Sequence, residues 1–416
     1  MTRTTDNVWL SRFALLTALA TLVLICFGGL VTSHEAGMAV PDWPNTFGYN
    51  LFFFPVSKWV GGIFYEHTHR LVASGVGFLT IILAVWLWLK ESRRWLRWLG
   101  VIALFSVVLQ GVLGGLRVVL FKDELGIFHA ALGQLFFVLT CSIALFTSRW
   151  WLLTGPPGEG IHRRQVPHPV TFLVNTPSSL RATLADHCDL RRLFLFTTIL
   201  ILAQLVLGAT MRHQHAGVAI PDFPAAYGRV WPALDAESIA RYNQNRVEVN
   251  AANPITAFQI VLQMTHRILA LAILLLVAGS ACLANCRLGR DHLVAKVSGA
   301  WLGLILVQVF LGAATIWTGK SADVATAHVV FGALSLATGA MLAILGFRCL
   351  VSRSKRKRIQ GPTPAIDDRE QVRAGAQTAL SARPARQSLD SADKAFPAPG
   401  QGFRQNDPGI ASNLSG

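Results

Sequence analysis

The chain has 416 residues, of which 52% are hydrophobic and only 14% are charged, whereas about 25% of residues are charged in an average soluble domain. The apolar residues occur in blocks of about 20, the length that crosses a bilayer as a helix. These values exclude an ordinary soluble protein. The net charge of +15 lies mainly between the apolar blocks, so it indicates membrane topology and contact with anionic lipid rather than a nucleic-acid partner.

The apolar blocks predict eight transmembrane helices. Membrane-spanning β-strands would instead give alternating stretches of about ten residues, whereas these blocks are continuously apolar. The predicted fold class is therefore an all-α integral membrane protein. The predicted spans cover residues 13–33, 66–89, 98–118, 126–147, 193–211, 258–284, 295–317 and 325–347.

Lysine and arginine residues are concentrated on one side of the predicted helices. Examples are Arg93 and Arg94 after the second span, Arg191 and Arg192 before the fifth, and the basic run 353–358 after the last. The positive-inside rule makes this side cytoplasmic, so both termini are predicted to be cytoplasmic. Only about a dozen residues precede the first span, too few for a mitochondrial transit peptide, and a bacterial inner membrane is therefore expected.

The sequence also contains an internal duplication, which is typical of a tandem architecture. Because each unit has an even number of helices, the two four-helix bundles are expected to be parallel repeats. The matching segments are 36–44 with 216–224, 68–70 with 265–267, 110–114 with 308–312, and 129–133 with 328–332. The predicted segments are an N-terminus (1–12), a first bundle (13–147), a basic linker (148–192), a second bundle (193–347) and a disordered basic tail (348–416).

Four histidines occupy equivalent places in the duplication, at the outer ends of the four even-numbered spans. They are His69 and His129 in the first half, and His266 and His328 in the second. Two imidazoles facing each other across a helical bundle can ligate a haem iron from both sides. The alternative is that each histidine is only a hydrogen-bonded residue at a helix end. Repetition in register favours two haem sites, and the nearby Gln110 and Gln308 are expected to form helix–helix hydrogen bonds.

The halves differ at one ionisable position. Glu66 lies three residues before His69 and on the same helix face, whereas Gln263 takes the equivalent place in the second half. A carboxylate at the membrane edge is costly and usually functional, so the first site is predicted to be reactive. The alternative is a simple ion pair of Glu66 with Arg70. Arg70 and its counterpart Arg267 are candidates for haem propionate contacts or for anchoring at the headgroup level.

Taken together, these motifs closely resemble the haem A synthase family over residues 10–347. The resemblance implies that His266 and His328 hold a permanent haem b, that His69 and His129 hold the substrate haem O, and that Glu66 is essential beside it. The implied reaction oxidises one porphyrin methyl group of haem O to a formyl group through hydroxylated intermediates, giving haem A for a terminal cytochrome oxidase. The sequence departs from some members of that family, which carry a cysteine pair in the first outer loop. Residues 34–62 contain no cysteine here, so a disulfide role for that loop is not supported.

Two other functions remain open at this point. One is a di-haem cytochrome that only transfers electrons, and the other is a haem carrier that leaves its haem unmodified. The one-sided carboxylate Glu66 argues against the cytochrome. Candidate partners are the lipid bilayer, haem O synthase, cytochrome oxidase assembly factors, an unidentified electron acceptor and a second copy of the chain, and the long outer loop 212–257 is a candidate partner-facing element.

Overall fold

The structure is a computed structural model that describes residues 7–122, 124–153, 187–245 and 254–349. All of these residues lie within residues 1–358, which form one unit. Most of the predicted linker and nearly all of the predicted tail, with its basic run 353–358, lie outside the described residues. Residues 246–253 of the long loop also lie outside them.

The eight predicted transmembrane helices are confirmed, since the described residues contain eight helices long and apolar enough to cross a membrane. The chain is therefore a multi-pass membrane protein. Two shorter helices, α5 (Arg149–Leu153) and α7 (Ala236–Gln244), lie between them. The long helices are α1 (Val8–Ser33), α2 (Gly61–Lys90), α3 (Arg94–Val119), α4 (Glu124–Thr147), α6 (His187–His213), α8 (Ala257–Leu288), α9 (Leu293–Trp317) and α10 (Ala322–Cys349).

Several helices begin earlier than the apolar blocks predict. Helix α2 begins at Gly61 rather than at residue 66, and α6 begins at His187 rather than at 193. The hydrocarbon core determines where apolar residues are needed, but the helical hydrogen bonds continue into the polar interface until a cap ends them. The predicted starts therefore mark the edge of the apolar stretch and miss the first turns of each helix.

Side-chain caps define some of these ends. At the start of α1, the side chain of Asn7 accepts a hydrogen bond from the main chain of Leu10. Thr256 and Gln259 form a reciprocal capping box at the start of α8, which satisfies two donors that the first turn leaves unpaired. Gly289 ends α8 with a φ of 83°, a left-handed conformation that glycine adopts without steric cost.

The long helices form two four-helix bundles with the same order of contacts. In the first, α1 packs on α2 and α4, and α3 completes the ring between α2 and α4. In the second, α6 packs on α8 and α10, and α9 completes the ring. Helices α1 and α4 of the first bundle contact α10 and α6 of the second, and 56% of the apolar stretch of α10 is buried, against 17% for α3 and α9. The interface between the bundles therefore lies along α1, α4, α6 and α10.

The outward faces of the peripheral helices remain apolar. Phe78 of α2, Phe105 of α3 and Phe310 of α9 are more than 60% exposed. In water such a surface would be unfavourable, but hydrocarbon chains solvate it well. The exposed aromatic and aliphatic side chains thus fit a lipid boundary.

Two matching loops contain Pro41-Asp42 and Pro221-Asp222, and we call them the Pro-Asp loops. Both lie on one face of the molecule, which we call the loop face. It comprises residues 34–60, 120–122, 214–245 with 254–256, and 318–321, which connect the long helices there. Helices α2, α4, α8 and α10 all begin at this face, and each carries its candidate histidine within its first ten residues. The fold therefore brings all four histidines to a similar depth beneath the loop face.

We expect the close packing around Gly339 of α10 to contribute measurably to stability. A methyl group there would lie 2.6 Å from Oγ1 of Thr198 and 2.7 Å from Cζ2 of the fully buried Trp301. Overpacking of this kind typically costs about 1–3 kcal/mol. Gly339→Ala should therefore lower the thermal unfolding midpoint of the purified protein in detergent.

The matched control is Gly279→Ala in α8, because a methyl group at Gly279 has no atom within 4 Å. This variant should keep or slightly raise the midpoint, since alanine favours helix over glycine by about 1 kcal/mol. Equal midpoints for the two variants would show that the packing around Gly339 is not as tight as described.

Candidate functional site

The four predicted histidines form two pairs in the structure. His69 of α2 faces His129 of α4, with ring centroids 6.5 Å apart and planes inclined by 77°. His266 of α8 and His328 of α10 repeat this spacing of 6.5 Å, with planes inclined by 60°. Each half therefore brings together one pair of imidazoles, as the duplication predicts.

The spacing of each pair fits a metal ion held between two imidazoles. Two metal–nitrogen bonds of about 2 Å, and about 1.2 Å from each nitrogen to its ring centre, give a centroid separation of about 6.4 Å. Among the described residues, the Nδ1 atoms of all four rings are buried without a hydrogen-bond partner. An available nitrogen on each ring, at this separation, suits axial ligation of a haem iron.

Each imidazole rests against a glycine of a neighbouring helix. A methyl group built on that glycine would lie between 3.1 and 3.4 Å from Cε1 of the ring, which is tighter than ordinary contact. A side chain in place of the glycine would press on the ring, which would then have to move by a few tenths of an ångström. The four contacts are Gly28 with His69, Gly114 with His129, Gly208 with His266, and Gly312 with His328.

Glutamine side chains hold three of the four histidines at the main chain. In each case Nε2 donates a hydrogen bond of 2.9–3.0 Å to the histidine carbonyl oxygen from a facing helix. The prediction of helix–helix hydrogen bonds for Gln110 and Gln308 is confirmed, and Gln204 is an addition to it. The pairs are Gln110 with His129, Gln204 with His266, and Gln308 with His328.

These contacts explain two of the repeated sequence motifs. In the first half, His129 packs on Gly114 of α3, while Gln110 of α3 packs on Gly133 of α4, where a methyl group would lie 3.3 Å from Nε2. Each helix thus offers one large side chain and one glycine to the other. The second half repeats this reciprocal docking with His328 on Gly312 and Gln308 on Gly332.

Glu66 and Gln263 accept equivalent hydrogen bonds from the main chain of the two Pro-Asp loops. Oε2 of Glu66 accepts a hydrogen bond of 2.8 Å from the main-chain N–H of Val40. Oε1 of Gln263 accepts one of 2.7 Å from Ile220, the equivalent loop residue. Both side chains are almost fully buried, with residue exposures of 4% and 2%. An amide therefore suffices to hold the loop, and the charge of Glu66 is not needed for that purpose.

The ion pair that was the alternative reading of Glu66 is present. Nη2 of Arg70 lies 2.7 Å from Oε1 of Glu66. Arg70 also donates hydrogen bonds to the main-chain oxygens of Val40, Asp42 and Asn45. The ion pair and a chemical role for the carboxylate are compatible, because the pair holds Glu66 in a fixed position three residues before His69.

Arg70 and Arg267 are both directed at the loops. Arg267 donates to the main-chain oxygens of Asp222 and Ala225, much as Arg70 binds the first loop. The structure thus shows both guanidinium groups fastening the Pro-Asp segments to the start of α2 and α8.

The two Pro-Asp loops are built alike. The carboxylate of Asp42 accepts hydrogen bonds from the main-chain N–H groups of Phe47 and Gly48, and Asp222 does the same for Tyr227 and Gly228. Burial raises the pKa of Asp42, but these N–H donors and Arg70 lower it more, so its pKa lies below the ordinary value. One carboxylate therefore fixes the turn in each loop.

His67 occupies the interior of the first loop rather than the histidine pair. It is fully buried, its Nδ1 lies 3.1 Å from Oγ1 of Thr46, and its ring contacts Phe54 and Trp59. Met264 stands at the equivalent position of the second half. His67 is therefore a second polar difference between the halves close to α2.

A cationic cavity of about 150 Å³ lies at the loop face between the two bundles. Arg212, at the end of α6, donates hydrogen bonds to Oγ of Ser33 and to the main chain of Gly29. No carboxylate lies within ion-pair distance of Arg212 among the described residues. Five cationic or titratable side chains line the cavity with a single carboxylate: Arg117, Arg212, His213, His215 and Lys320 with Glu35.

Sequence reasoning missed Gln204, Arg117 and Arg212. Gln204 lies four residues before Gly208, just as Gln110 precedes Gly114, so a search for the Gln-x-x-x-Gly pattern would have found it. Neither Arg117 nor Arg212 has an arginine at the equivalent place of the other half, and a search for repeats therefore passes over both. Their shared cavity becomes visible only when the bundles are packed together.

Sequence comparisons show which known proteins this chain is similar to. A sequence model of the family described as cytochrome oxidase assembly protein matches residues 11–340. The haem A synthase of Geobacillus kaustophilus is 26% identical over 82% of this chain and 92% of its own length. That of Rhizorhabdus wittichii is 26% identical over 79% and 91%, and that of Shouchella clausii is 28% identical over 55% and 68%.

The family match covers most of the chain, including both histidine pairs, both Pro-Asp loops and all eight membrane-spanning helices up to residue 340. The motifs on which the resemblance was based therefore lie within the matched region. The chain belongs to the cytochrome oxidase assembly protein family, and its similarity to haem A synthases over most of its length agrees with the resemblance that its motifs predicted.

Proposed function

We propose that the protein is a haem A synthase, an oxidoreductase that converts a methyl group of haem O to a formyl group through hydroxylated intermediates. In this proposal His69 and His129 hold the substrate haem O, and His266 and His328 hold a resident haem b. The names of the relatives and the two imidazole pairs at 6.5 Å support it.

The observation that carries the proposal is that Glu66 is charged whereas Gln263, at the matching position of the second half, is not. Gln263 anchors its loop with an amide, while Glu66 makes the same main-chain contact with a carboxylate. Burying a carboxylate costs more than burying an amide. Since the loop does not require the charge, we assign the charge to chemistry at the neighbouring substrate haem.

Hydroxylation of a porphyrin methyl group removes two electrons, which pass to an electron acceptor, and one proton. The resulting positive charge is shared with the conjugated ring, and a fixed carboxylate beside it lowers the energy of that state. A water molecule then adds to the carbon and loses a second proton. Glu66 is placed to stabilise this charge, to accept a proton or to trap the carbon. Arg70 and the main chain of Val40 orient the carboxylate through both oxygens. A bound haem b supplies a one-electron carrier between the substrate and an electron acceptor.

The cationic cavity is the proposed place for the haem carboxylates. Propionate groups are anions, and a cavity lined by Arg117 and Arg212 between the two histidine pairs attracts them. Arg70 and Arg267, the arginines considered from sequence, make hydrogen bonds to the loops instead. Their proposed role is accordingly to hold the Pro-Asp loops in place next to the haem sites.

The proposed location is a bacterial inner membrane, with the loop face towards the periplasm and both termini in the cytoplasm. Basic residues at the opposite ends of the helices support this orientation through the positive-inside rule; among those described are Arg93, Arg94, Arg191 and Arg192. Haem O synthase, oxidase assembly factors, an electron acceptor and a second copy of the chain are the proposed partners. Helix α7, which lies in the long loop and exposes side chains such as Arg241, is a proposed contact for one of them.

The first test is the haem content of the protein expressed in a host that makes haem O. The wild-type protein should yield haem b together with haem A or its hydroxylated precursor on extraction, chromatography and mass analysis. Glu66→Gln should yield haem b and unmodified haem O, because the amide reproduces the loop anchor of Gln263 but removes the charge. A loss of oxidised haem of at least about a hundredfold is expected, the scale of losing one preorganised electrostatic group.

The matched control is Gln263→Leu, which removes the equivalent loop anchor in the other half and leaves Glu66 in place. It should lower stability but retain oxidised haem. If Glu66→Gln keeps full turnover with normal haem binding, the chemical role of Glu66 is wrong. Haem b alone in the wild-type protein, with haem O available but untouched, would favour a di-haem cytochrome or a haem carrier.

A second test addresses the cationic cavity. Arg212→Gln removes a positive charge close to the proposed haem b, and a nearby positive charge favours the reduced haem. We expect the midpoint potential of haem b to fall by an amount on the order of tens of millivolts, measured by spectroscopic redox titration. Arg241→Gln is the control, because Arg241 lies on the exposed helix α7 and pairs with Glu237. An unchanged potential in Arg212→Gln would place the haem carboxylates elsewhere.

A further inference from the structure

The four histidine sites follow one building plan with a single exception. On each odd-numbered transmembrane span a glycine contacts the imidazole, and in three of the four a glutamine four residues earlier binds the main-chain oxygen of the same histidine. At the fourth site the glycine is Gly28 and the residue four positions earlier is Leu24. Among the described residues no side chain donates a hydrogen bond to the main-chain oxygen of His69.

Leu24 and Gln204 are directly comparable. They are 180 residues apart, the same offset that relates Gly28 to Gly208 and the two Pro-Asp loops to each other. Both side chains are half-buried, and Leu24 packs on the apolar core of the first bundle. The two positions are therefore equivalent in the repeat and similar in burial, and Leu24 lacks the amide that Gln204 provides.

The missing hydrogen bond changes how firmly a histidine is held. A bond between helices in a membrane contributes about 0.6 kcal/mol on average and up to about 1.7 kcal/mol. Gln110, Gln204 and Gln308 bind the main chain of their histidines, so the backbone that carries each imidazole cannot move away from the facing helix without breaking that bond. Among the described residues His69 lacks such a bond to its main-chain oxygen. It keeps the contact with Gly28, and the neighbouring Glu66 and Arg70 fasten the start of α2 to the loop rather than to a facing helix.

We infer that His69 is the ligand that detaches when haem enters and leaves the first site, and that Gln204 is a positioning residue that prevents such exchange at the second. The inference rests on the proposed function, in which the first site exchanges substrate for product at every turnover while the second keeps its haem. The first site thus combines one firmly held ligand, His129, with one releasable ligand, His69. The second site has two firmly held ligands.

The test exchanges the two residues. The purified full-length protein, holding haem b and reconstituted with haem O, is mixed with excess apomyoglobin, and the loss of each haem over time is measured by extraction and chromatography. In the wild-type protein haem O should leave faster than haem b. Leu24→Gln should slow the loss of haem O about three- to tenfold and leave haem b unchanged, whereas Gln204→Leu should speed the loss of haem b by a similar factor.

Leu24→Met is the control, since it keeps an apolar side chain of similar size and supplies no donor. A second readout is the absorption spectrum, because haem O with one detached ligand is high-spin. Leu24→Gln should reduce this high-spin fraction, and a residue that only stabilised the fold would not alter the coordination of one haem alone. Should Leu24→Gln fail to fold, Gln204→Leu still tests the inference through haem b.

Equal loss of haem O and haem b from the wild-type protein would overturn the inference, as would unchanged rates in both variants. Neither result would affect the proposed reaction, because the assay involves no turnover. Conversely, haem O that exchanges as expected but is never oxidised would support the inference on His69 and count against the synthase.

Discussion

The rest of the site depends on the close contact between a histidine ring and a glycine on the facing helix. Lipid chains are as apolar as the helices, so helices in a membrane associate through packing and hydrogen bonds rather than through exclusion of water. A methyl group at Gly312 would lie only 3.1 Å from the ring of His328. The absence of a side chain at that one position sets the distance between α9 and α10, and it thereby fixes where the imidazole stands.

The contact between histidine and glycine also relates the spacing of neighbouring helices to the distance between the two histidine rings of a pair. His266 and His328 lie on α8 and α10, which are diagonal in the second bundle, and each ring is positioned by the helix beside it rather than by the other ring. Gly208 and Gly312 therefore determine the separation of 6.5 Å from two sides. The loops add a second restraint, because Gln263 and Arg267 tie the start of α8 to the Pro-Asp segment.

Sequence reasoning predicted the helices and the histidines well because both have local signals. A span needs a continuous apolar block, and the duplication identifies His69 and His266 without any knowledge of contacts. The helix ends were predicted less accurately, since caps such as Asn7 lie outside the apolar block. The anchoring role of Glu66 could not be predicted, because its partner Val40 is 26 residues away and offers only a main-chain N–H.

A duplicated scaffold limits where its two halves can differ in function. The glycine contacts, the loop turns and the arginines that hold the loops occur in both halves, so they cannot distinguish a reacting haem from a permanent one. Three differences, Glu66 for Gln263, His67 for Met264 and Leu24 for Gln204, all lie on α1 and α2. The first adds a carboxylate beside His69, and the third removes a restraint from the same histidine. Under the proposed function, the charge that we assign to chemistry and the weaker restraint that we assign to haem exchange both lie beside His69, whereas the second half has the uncharged and more firmly bonded arrangement expected for a permanent cofactor.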